Sequence, residues 1–199
     1  MSGSPDQTSP SQFKLVVVGT SAGGLNALKT LLSALPADFS CPIAVVQHLS
    51  PEHSSQLVDI LRRSTRLPVM AAEHQQRIQP GHVYIAPPDH HLLVSNFGTL
   101  RLTQSARVHF SRPAIDLLFE SAAKNYGAGV IAILLTGSNT DGSDGMQAIQ
   151  QAGGTTIVQS PESAESPRMP QAAIAAAQID WVLPLDDIAA RLCQLVAKE

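Results

Sequence analysis

A serine, a histidine and an aspartate, each placed just beyond a short apolar run, have the residue types needed to hydrolyse an ester. Ser21 stands in Gly19-Thr20-Ser21-Ala22-Gly23, a G-x-S-x-G pattern, directly after Leu15-Val16-Val17-Val18. His48 follows Ile43-Ala44-Val45-Val46-Gln47. Asp141 follows Val130-Ile131-Ala132-Ile133-Leu134-Leu135 by way of Thr136-Gly137-Ser138-Asn139-Thr140. Such chemistry takes a hydroxyl as nucleophile and an imidazole, neutral near pH 7, to accept its proton. A carboxylate then fixes the imidazole tautomer and stabilises the imidazolium that forms.

The elements that must position these groups are buried strands. Short, β-branched, near-continuous apolar runs are what strands covered on both faces of a parallel sheet look like. In such sheets the functional ends open on the carboxyl edge, so side chains distant in sequence can converge there. Helical spacing of Leu25, Leu28, Leu32 and Leu35, closed by Pro36, predicts a helix after the first strand. Leu57, Ile60 and Leu61 predict another after the second, with Ser50 as N-cap and Pro51 in the first turn. From Pro68 to Val108, Pro80-Gly81, Pro87-Pro88 and Asn96-Phe97-Gly98 punctuate pieces such as Val83-Tyr84-Ile85-Ala86 and Leu92-Leu93-Val94, which predicts antiparallel hairpins. Helices near Ala114–Ala123, Asp144–Ala152 and Gln171–Ala177, strands at Thr155–Val158 and Trp181–Leu183, and a closing helix with Ile188, Leu192 and Leu195 follow. The fold class is therefore α/β: a doubly wound, mostly parallel sheet with helices on both faces and an antiparallel hairpin at one edge.

Each group has a plainer reading beside the catalytic one. A Gly-rich strand-to-helix turn also cradles phosphates. Against this, the dinucleotide pattern would place Gly where Ser21 stands, and the second strand ends in Gln47-His48 with no acidic ribose ligand. Among seven histidines, His53, His74 and His82 fall in helix or turn contexts, and His90 and His91 follow Pro87-Pro88-Asp89 as structural candidates. His109 precedes Ser111-Arg112-Pro113 and is a candidate to line the cleft, whereas only His48 sits at a carboxyl strand end next to the Ser21 unit. Asp141 is placed to cap the next helix, unless Asp144 does so and leaves it free to orient the imidazole. The resulting order Ser, His, Asp differs from the Ser, Asp, His order of lipase-type hydrolases.

Composition removes several classes. The chain has 199 residues, 44% hydrophobic and 15% charged, with net charge −3 and no run of like charges, which argues against nucleic-acid or anionic-membrane binding. No apolar stretch approaches the ~20 residues of a membrane span. Cys41 and Cys193 make no disulfide framework and lack metal-ligand spacing, so a reduced cytoplasmic setting is expected, with no metal and no cofactor. Residues 1–12, rich in Ser, Pro, Gln and Gly, read as a lead-in or linker, and residues 13–199 as one catalytic domain.

Taken in order, Val18-Gly19-Thr20-Ser21-Ala22-Gly23-Gly24, Val45-Val46-Gln47-His48, Pro80-Gly81-His82-Val83-Tyr84-Ile85-Ala86-Pro87, Ser111-Arg112-Pro113 with Asp116-Leu117-Leu118-Phe119, Leu135-Thr136-Gly137 with Asp141-Gly142, Met169-Pro170 and Val182-Leu183-Pro184 resemble one family. It is the catalytic domain of bacterial chemotaxis protein-glutamate methylesterases, and the resemblance spans about Leu15 to Leu185. It implies a nucleophile, base and orienting acid at Ser21, His48 and Asp141. It also implies hydrolysis of γ-glutamyl methyl esters on the cytoplasmic helices of chemoreceptors, releasing methanol, together with deamidation of receptor glutamines.

The chain departs from the family's pattern in three places. Where the family has Thr-Gly-Met-Gly, this chain has Thr136-Gly137-Ser138-Asn139, which assigns Ser138, with Ala22 and Arg112, to the oxyanion site or cleft. The family's Gln-Asp-Glu segment becomes Gln159-Ser160-Pro161-Glu162-Ser163-Ala164-Glu165, closer to forms fused to a receptor methyltransferase. The usual receiver domain is not in this sequence, so a receiver or methyltransferase encoded elsewhere is an expected partner. A non-catalytic, methylesterase-like regulatory module is the competing expectation.

Overall fold

Alternation along the central strands sends side chains into two separate cores. In β1 (Leu15–Thr20), Val16 and Val18 enter one apolar cluster while Leu15 and Val17 enter the other. The same split holds in β2 (Ile43–Gln47), where Ile43 and Val45 face the first cluster and Ala44 and Val46 the second. All residues of both strands are buried, which explains runs without polar interruption. The computed structural model describes residues 14–48 and 54–197. The lead-in at 1–12, and Ser50, Pro51 and His53, lie outside the described residues.

The first core is covered by α1 (Gly24–Ser33), α2 (Ser54–Arg62) and α6 (Leu185–Val196), through Leu28, Leu31 and Leu32, Leu57 and Leu61, and Ile188, Leu192 and Val196 respectively. The opposite core is covered by α3 (Ile115–Tyr126), α4 (Ser143–Gln151) and α5 (Arg168–Ala176), through Ile115, Leu118 and Phe119, Met146 and Ile149, and Met169 and Ala173. Helices thus lie on both faces, as the strand–helix alternation predicts.

The main sheet has seven strands in the order β3-β4-β2-β1-β7-β8-β9, where β3 is Val69–Ala71, β4 Val83–Ile85, β7 Val130–Leu134, β8 Thr155–Gln159 and β9 Trp181–Leu183. Every pairing in it is parallel. From β1 the chain builds outward first through β2, then returns to the other side at β7. The order therefore reverses between β1 and β7, the switch point at which open α/β sheets place their sites.

The middle segment differs from its expectation in two ways. Val83–Ile85 is no hairpin arm: it pairs parallel to β2 on one side and to β3 on the other. The true hairpin is β5 (His91–Val94) with β6 (Leu100–Thr103), turning at Asn96-Phe97-Gly98. It forms its own two-stranded sheet and not an edge of the main one. Leu92, Val94 and Leu100 bury into the α3 side of the core, and Gly98 and Leu100 are bonded through their backbone to Gln75, Gln76 and Ile78, so packing and these bonds hold it.

Candidate active site

Three neighbouring strands deliver the three candidate side chains. β2, β1 and β7 lie side by side, and adjacent strands run only about 4.8 Å apart. Bonding continues past the strand ends: the His48 N–H donates to the Thr20 carbonyl at 3.0 Å and the Ser21 N–H to the Thr136 carbonyl at 2.9 Å. His48 Nε2 lies 2.8 Å from Asp141 Oδ2. An ionised carboxylate only accepts, so this bond puts the imidazole proton on Nε2 and leaves Nδ1 as the lone-pair nitrogen. The Asn139 amide, Nδ2, stands 3.4 Å from that Nδ1. The ring is thus turned the opposite way from the chymotrypsin-type triad, where Nδ1 faces the carboxylate.

Asp141 is fully buried, and its ionised form is well supplied with donors. The first two backbone N–H groups of α3 point at it, Ile115 N to Oδ2 at 2.7 Å and Asp116 N to Oδ1 at 2.9 Å. Burial pushes its pKa up, but the His48 hydrogen bond, the two helix amides and the His48 charge outweigh that and hold it below the usual carboxylate value. Asp141 is therefore a helix cap after all, of α3 and not of the helix that follows it. The cap of α4 is Asp116, whose Oδ1 accepts from Gly142 N at 2.9 Å and Gly145 N at 2.7 Å. The two carboxylates cap each other's helices, and Asp144, expected as a possible cap, is exposed.

Two adjacent buried carboxylates cannot both ionise cheaply. Burial drives the Asp116 pKa up to about 7; the Gly145 amide opposes this, and the charge and hydrogen bond of Asp141, with the charge of Asp144, add to it. His109 Nε2 lies 3.1 Å from Asp116 Oδ2, but this oxygen has no aligned hydrogen-bond donor. A folded-state pKa near 7 against 3.8 unfolded means that the folded protein holds the extra proton between those values. Stability is thus highest at the low end and falls as pH rises through about 7. Asp141 has the opposite sign, its contribution being present above about 4 and lost as pH drops below it. Asp116→Asn keeps an acceptor for both α4 amides and removes the ionisation. Wild type is expected to lose about 1–3 kcal/mol relative to this variant between pH 5 and pH 8, read from urea unfolding at each pH. Parallel pH curves for the two proteins would contradict the protonated Asp116.

The Ser21 turn is held from below by Gln47, whose Nε2 donates to the Ser21 and His48 carbonyls, both at 2.8 Å. From the β7 side, Thr20 Oγ1 donates to the Thr136 carbonyl and Thr136 Oγ1 to the Ala22 carbonyl, each at 2.9 Å. Gly23, at φ +78°, makes the left-handed bend into α1. A Cβ on Gly24 would overlap Gln47 Oε1 and Thr20 Oγ1, whose side chains are tied down through Gln47 Nε2 and Thr20 Oγ1. Alanine gains about 1 kcal/mol of helix propensity over glycine. Displacing both side chains costs more, so Gly24→Ala is expected to destabilise by about 1–3 kcal/mol in denaturant titration. A neutral or stabilising result would show that the clamp yields.

Ser21, Ala22, Gly23, Gly24, Leu25, Asn26, Gln47, His48 and Glu165 line one cleft of about 430 Å³. Ser21 Oγ donates no hydrogen bond among the described residues and is half-buried, with the neighbouring imidazole 12% exposed at its side chain. Its own N–H is committed to Thr136 and that of Gly24 to the Ser21 carbonyl. The Ala22 and Gly23 amides donate to no acceptor among the described residues, at the positive end of α1.

The other sequence candidates are placed differently. Ala22 lines the cleft, whereas Ser138 is exposed and does not. Arg112 is not a cleft residue either. Its Nε and Nη2 donate to Asp89 Oδ1 at 2.9 and 2.6 Å, and its Nη1 donates to the carbonyls of Gln104 and Ser105. Arg112 therefore ties down the loop before α3, and its hydrogen bond and charge hold the Asp89 carboxyl below its usual range. His82 and His90 bond backbone carbonyls, and buried His91 joins Ala106 O to Ala114 N; burial lowers its pKa and keeps it neutral. Sequence reasoning missed the parts played by Asp116, Asn139, Gln47 and Glu165. Only the Val-Val-Gln-His and Asp-Leu-Leu-Phe strings carried a local signal for two of them.

A doubly wound parallel α/β sheet thus carries Ser21, His48 and buried Asp141 beyond three adjacent strands, the layout of a candidate serine-hydrolase site on an open sheet. Residues 16–192 match the family described as CheB methylesterase. A Leptospira interrogans protein named "Putative protein-glutamate methylesterase/protein-glutamine glutaminase" is 42% identical over 177 residues, covering 89% of this chain and 92% of that protein. Protein-glutamate methylesterase/protein-glutamine glutaminase 2 of Pseudomonas aeruginosa is 40% identical over 199 residues, covering 98% of this chain and 57% of that protein. The crystal structure of the Thermotoga maritima CheB methylesterase catalytic domain superposes with a TM-score of 0.89 at 36% identity, over 92% of this chain and 99% of that one. The chain belongs to the CheB methylesterase family.

Proposed function

We propose that this protein is a protein-glutamate methylesterase and protein-glutamine glutaminase acting on the cytoplasmic helices of chemoreceptors, with Ser21 as nucleophile, His48 as base and Asp141 as orienting acid. The observation that carries the reading is the His48–Asp141 bond at 2.8 Å, which leaves Nδ1 unprotonated in the cleft that Ser21 lines. Ser21 Oγ attacks the ester carbonyl carbon while its proton passes to Nδ1. The carbonyl oxygen becomes an oxyanion, for which the uncommitted amides of Ala22 and Gly23 are the donors at hand. Collapse breaks the bond to methoxide, which takes the proton from His48 and leaves as methanol. Water then loses a proton to His48, adds to the acyl carbon and releases glutamate carboxylate, and the proton returns to Ser21. With a glutamine substrate the leaving group is ammonia.

The cytoplasm is the expected compartment. Among the described residues no helix is long and apolar enough to cross a membrane, and Cys41 and Cys193 are not joined in a disulfide. A receiver or methyltransferase domain remains an expected partner in control. The test is methanol release from methyl-esterified receptor, with ammonia release from a glutamine-bearing receptor alongside. Release of neither product by folded protein would overturn the reading.

A further inference from the structure

We propose that Glu165 sets the charge selectivity of the Ser21 cleft, hastening release of the carboxylate product and favouring substrate helices with a basic residue beside the esterified glutamate. The inference rests on the methylesterase reading and extends it to substrate class. Glu165 is the one acidic side chain among the described residues that line the cleft, so the negative charge there is its own. Its side chain lies along the face of Gly23: a Cβ there would come 2.8 Å from Glu165 Cβ and 2.9 Å from Oε2. The exposed Glu165 carboxylate thus lies over the turn that carries Ser21, and the glycine makes room for it.

The segment is anchored there. Ser166 N–H donates to Thr136 Oγ1 at 2.8 Å, and the Ser166 carbonyl accepts from Gly137 N–H at 2.9 Å. Those bonds stitch it to the turn that leads to Asp141. Among the described residues no cation lies within ion-pair reach of Glu165, in contrast to Asp59 and Asp89, each of which meets an arginine. An uncompensated carboxylate in a reaction cleft acts on whatever charge enters it.

The substrate ester and the glutamine side chain are neutral, whereas the product is a carboxylate generated beside Glu165. Like charges separated by several ångströms in a half-open cleft repel by an amount that matters to binding. The neutral substrate is admitted without penalty and the anionic product is expelled. A lysine or arginine one helical turn from the target residue gains the same interaction with opposite sign.

The test uses helical peptides that differ at the target position, Gln or Glu, each with Lys or Gln four residues away. Dissociation constants are measured by fluorescence anisotropy in an S21A background, so that no peptide is turned over. With Glu165 present, the Glu peptide is expected to bind roughly fivefold more weakly than the Gln peptide, and the Lys neighbour to tighten binding about threefold. In E165Q both ratios collapse to within about twofold, and 0.5 M salt removes most of them from the Glu165 protein by shortening the screening length to a few ångströms. If E165Q weakens all peptides alike, Glu165 only shapes the turn; if the ratios persist, the charge lies elsewhere. Either result overturns the proposal. Methanol release by the Ser21-intact protein is scored separately, so failure of the methylesterase reading is distinguished from failure of the charge ratios.

Discussion

Ser21→Ala is expected to lower kcat for methanol release by roughly 10⁴- to 10⁶-fold, the range in which loss of a serine nucleophile falls elsewhere. The same variant should unfold within about 2 °C of wild type, because Ser21 Oγ donates no hydrogen bond among the described residues and the turn is held by backbone, Gln47 and Thr136 instead. Substrate affinity should change little, since the loss falls on a bond made only during reaction. Steady-state kinetics with a thermal melt checks both halves. Wild-type turnover in Ser21→Ala would remove the nucleophile assignment, and a large drop in melting temperature would assign the serine a structural role.

The second large effect is at Asp141, where catalysis and folding share one carboxylate. Oδ2 accepts from His48 Nε2 and Ile115 N, and Oδ1 from Asp116 N. An asparagine must turn its NH₂ toward one of these sets, so a donor meets donors in either orientation. With the NH₂ facing His48, the ring must accept on Nε2 and carry its proton on Nδ1, the wrong tautomer for receiving one from Ser21. Asp141→Asn is therefore expected to reduce kcat by roughly 10⁴-fold, as in the tautomer-reversing change of a serine protease. Asp141→Ala should add a loss of about 2–4 kcal/mol in stability, because two buried helix amides lose their acceptor. Activity assays with urea titrations of both variants read the two effects. Full stability in Asp141→Ala would mean that water or Asp116 replaces the cap.

What was legible in the sequence followed from local pattern. β1, β2 and β7 are near-continuous apolar runs because both their faces are buried; the candidate residues Ser21 and His48 come directly after the first two, and Asp141 at the end of the turn that follows the third. The G-x-S-x-G spacing reflects a physical need, since a Cβ on Gly19 would run into the Ile115 side chain and Gly23 takes a positive φ. Pairings made between distant segments were not legible. Val69–Ala71 and Val83–Ile85 are three residues long and flanked by proline and glycine, a local look of hairpins, yet the sheet edge at β2 recruits them in parallel. Asp116 caps a helix that starts 27 residues later, so no capping rule within one helix could find it. Arg112 looked like a cleft cation because its partner Asp89 lies 23 residues back, on the far side of the hairpin. Glu165 reaches the Ser21 turn only because Ser166 is bonded to Thr136.

The assignment of Ser21, His48 and Asp141 as one catalytic unit is tested most directly by covalent trapping. Wild-type protein is treated with a fluorophosphonate, digested, and the adduct located by mass spectrometry, with Asp141→Asn treated in parallel. One phosphonyl group on Ser21 is expected in the wild type, forming far more slowly when Asp141 is asparagine. An unlabelled Ser21 in folded protein, or labelling whose rate ignores the change at Asp141, would contradict the triad.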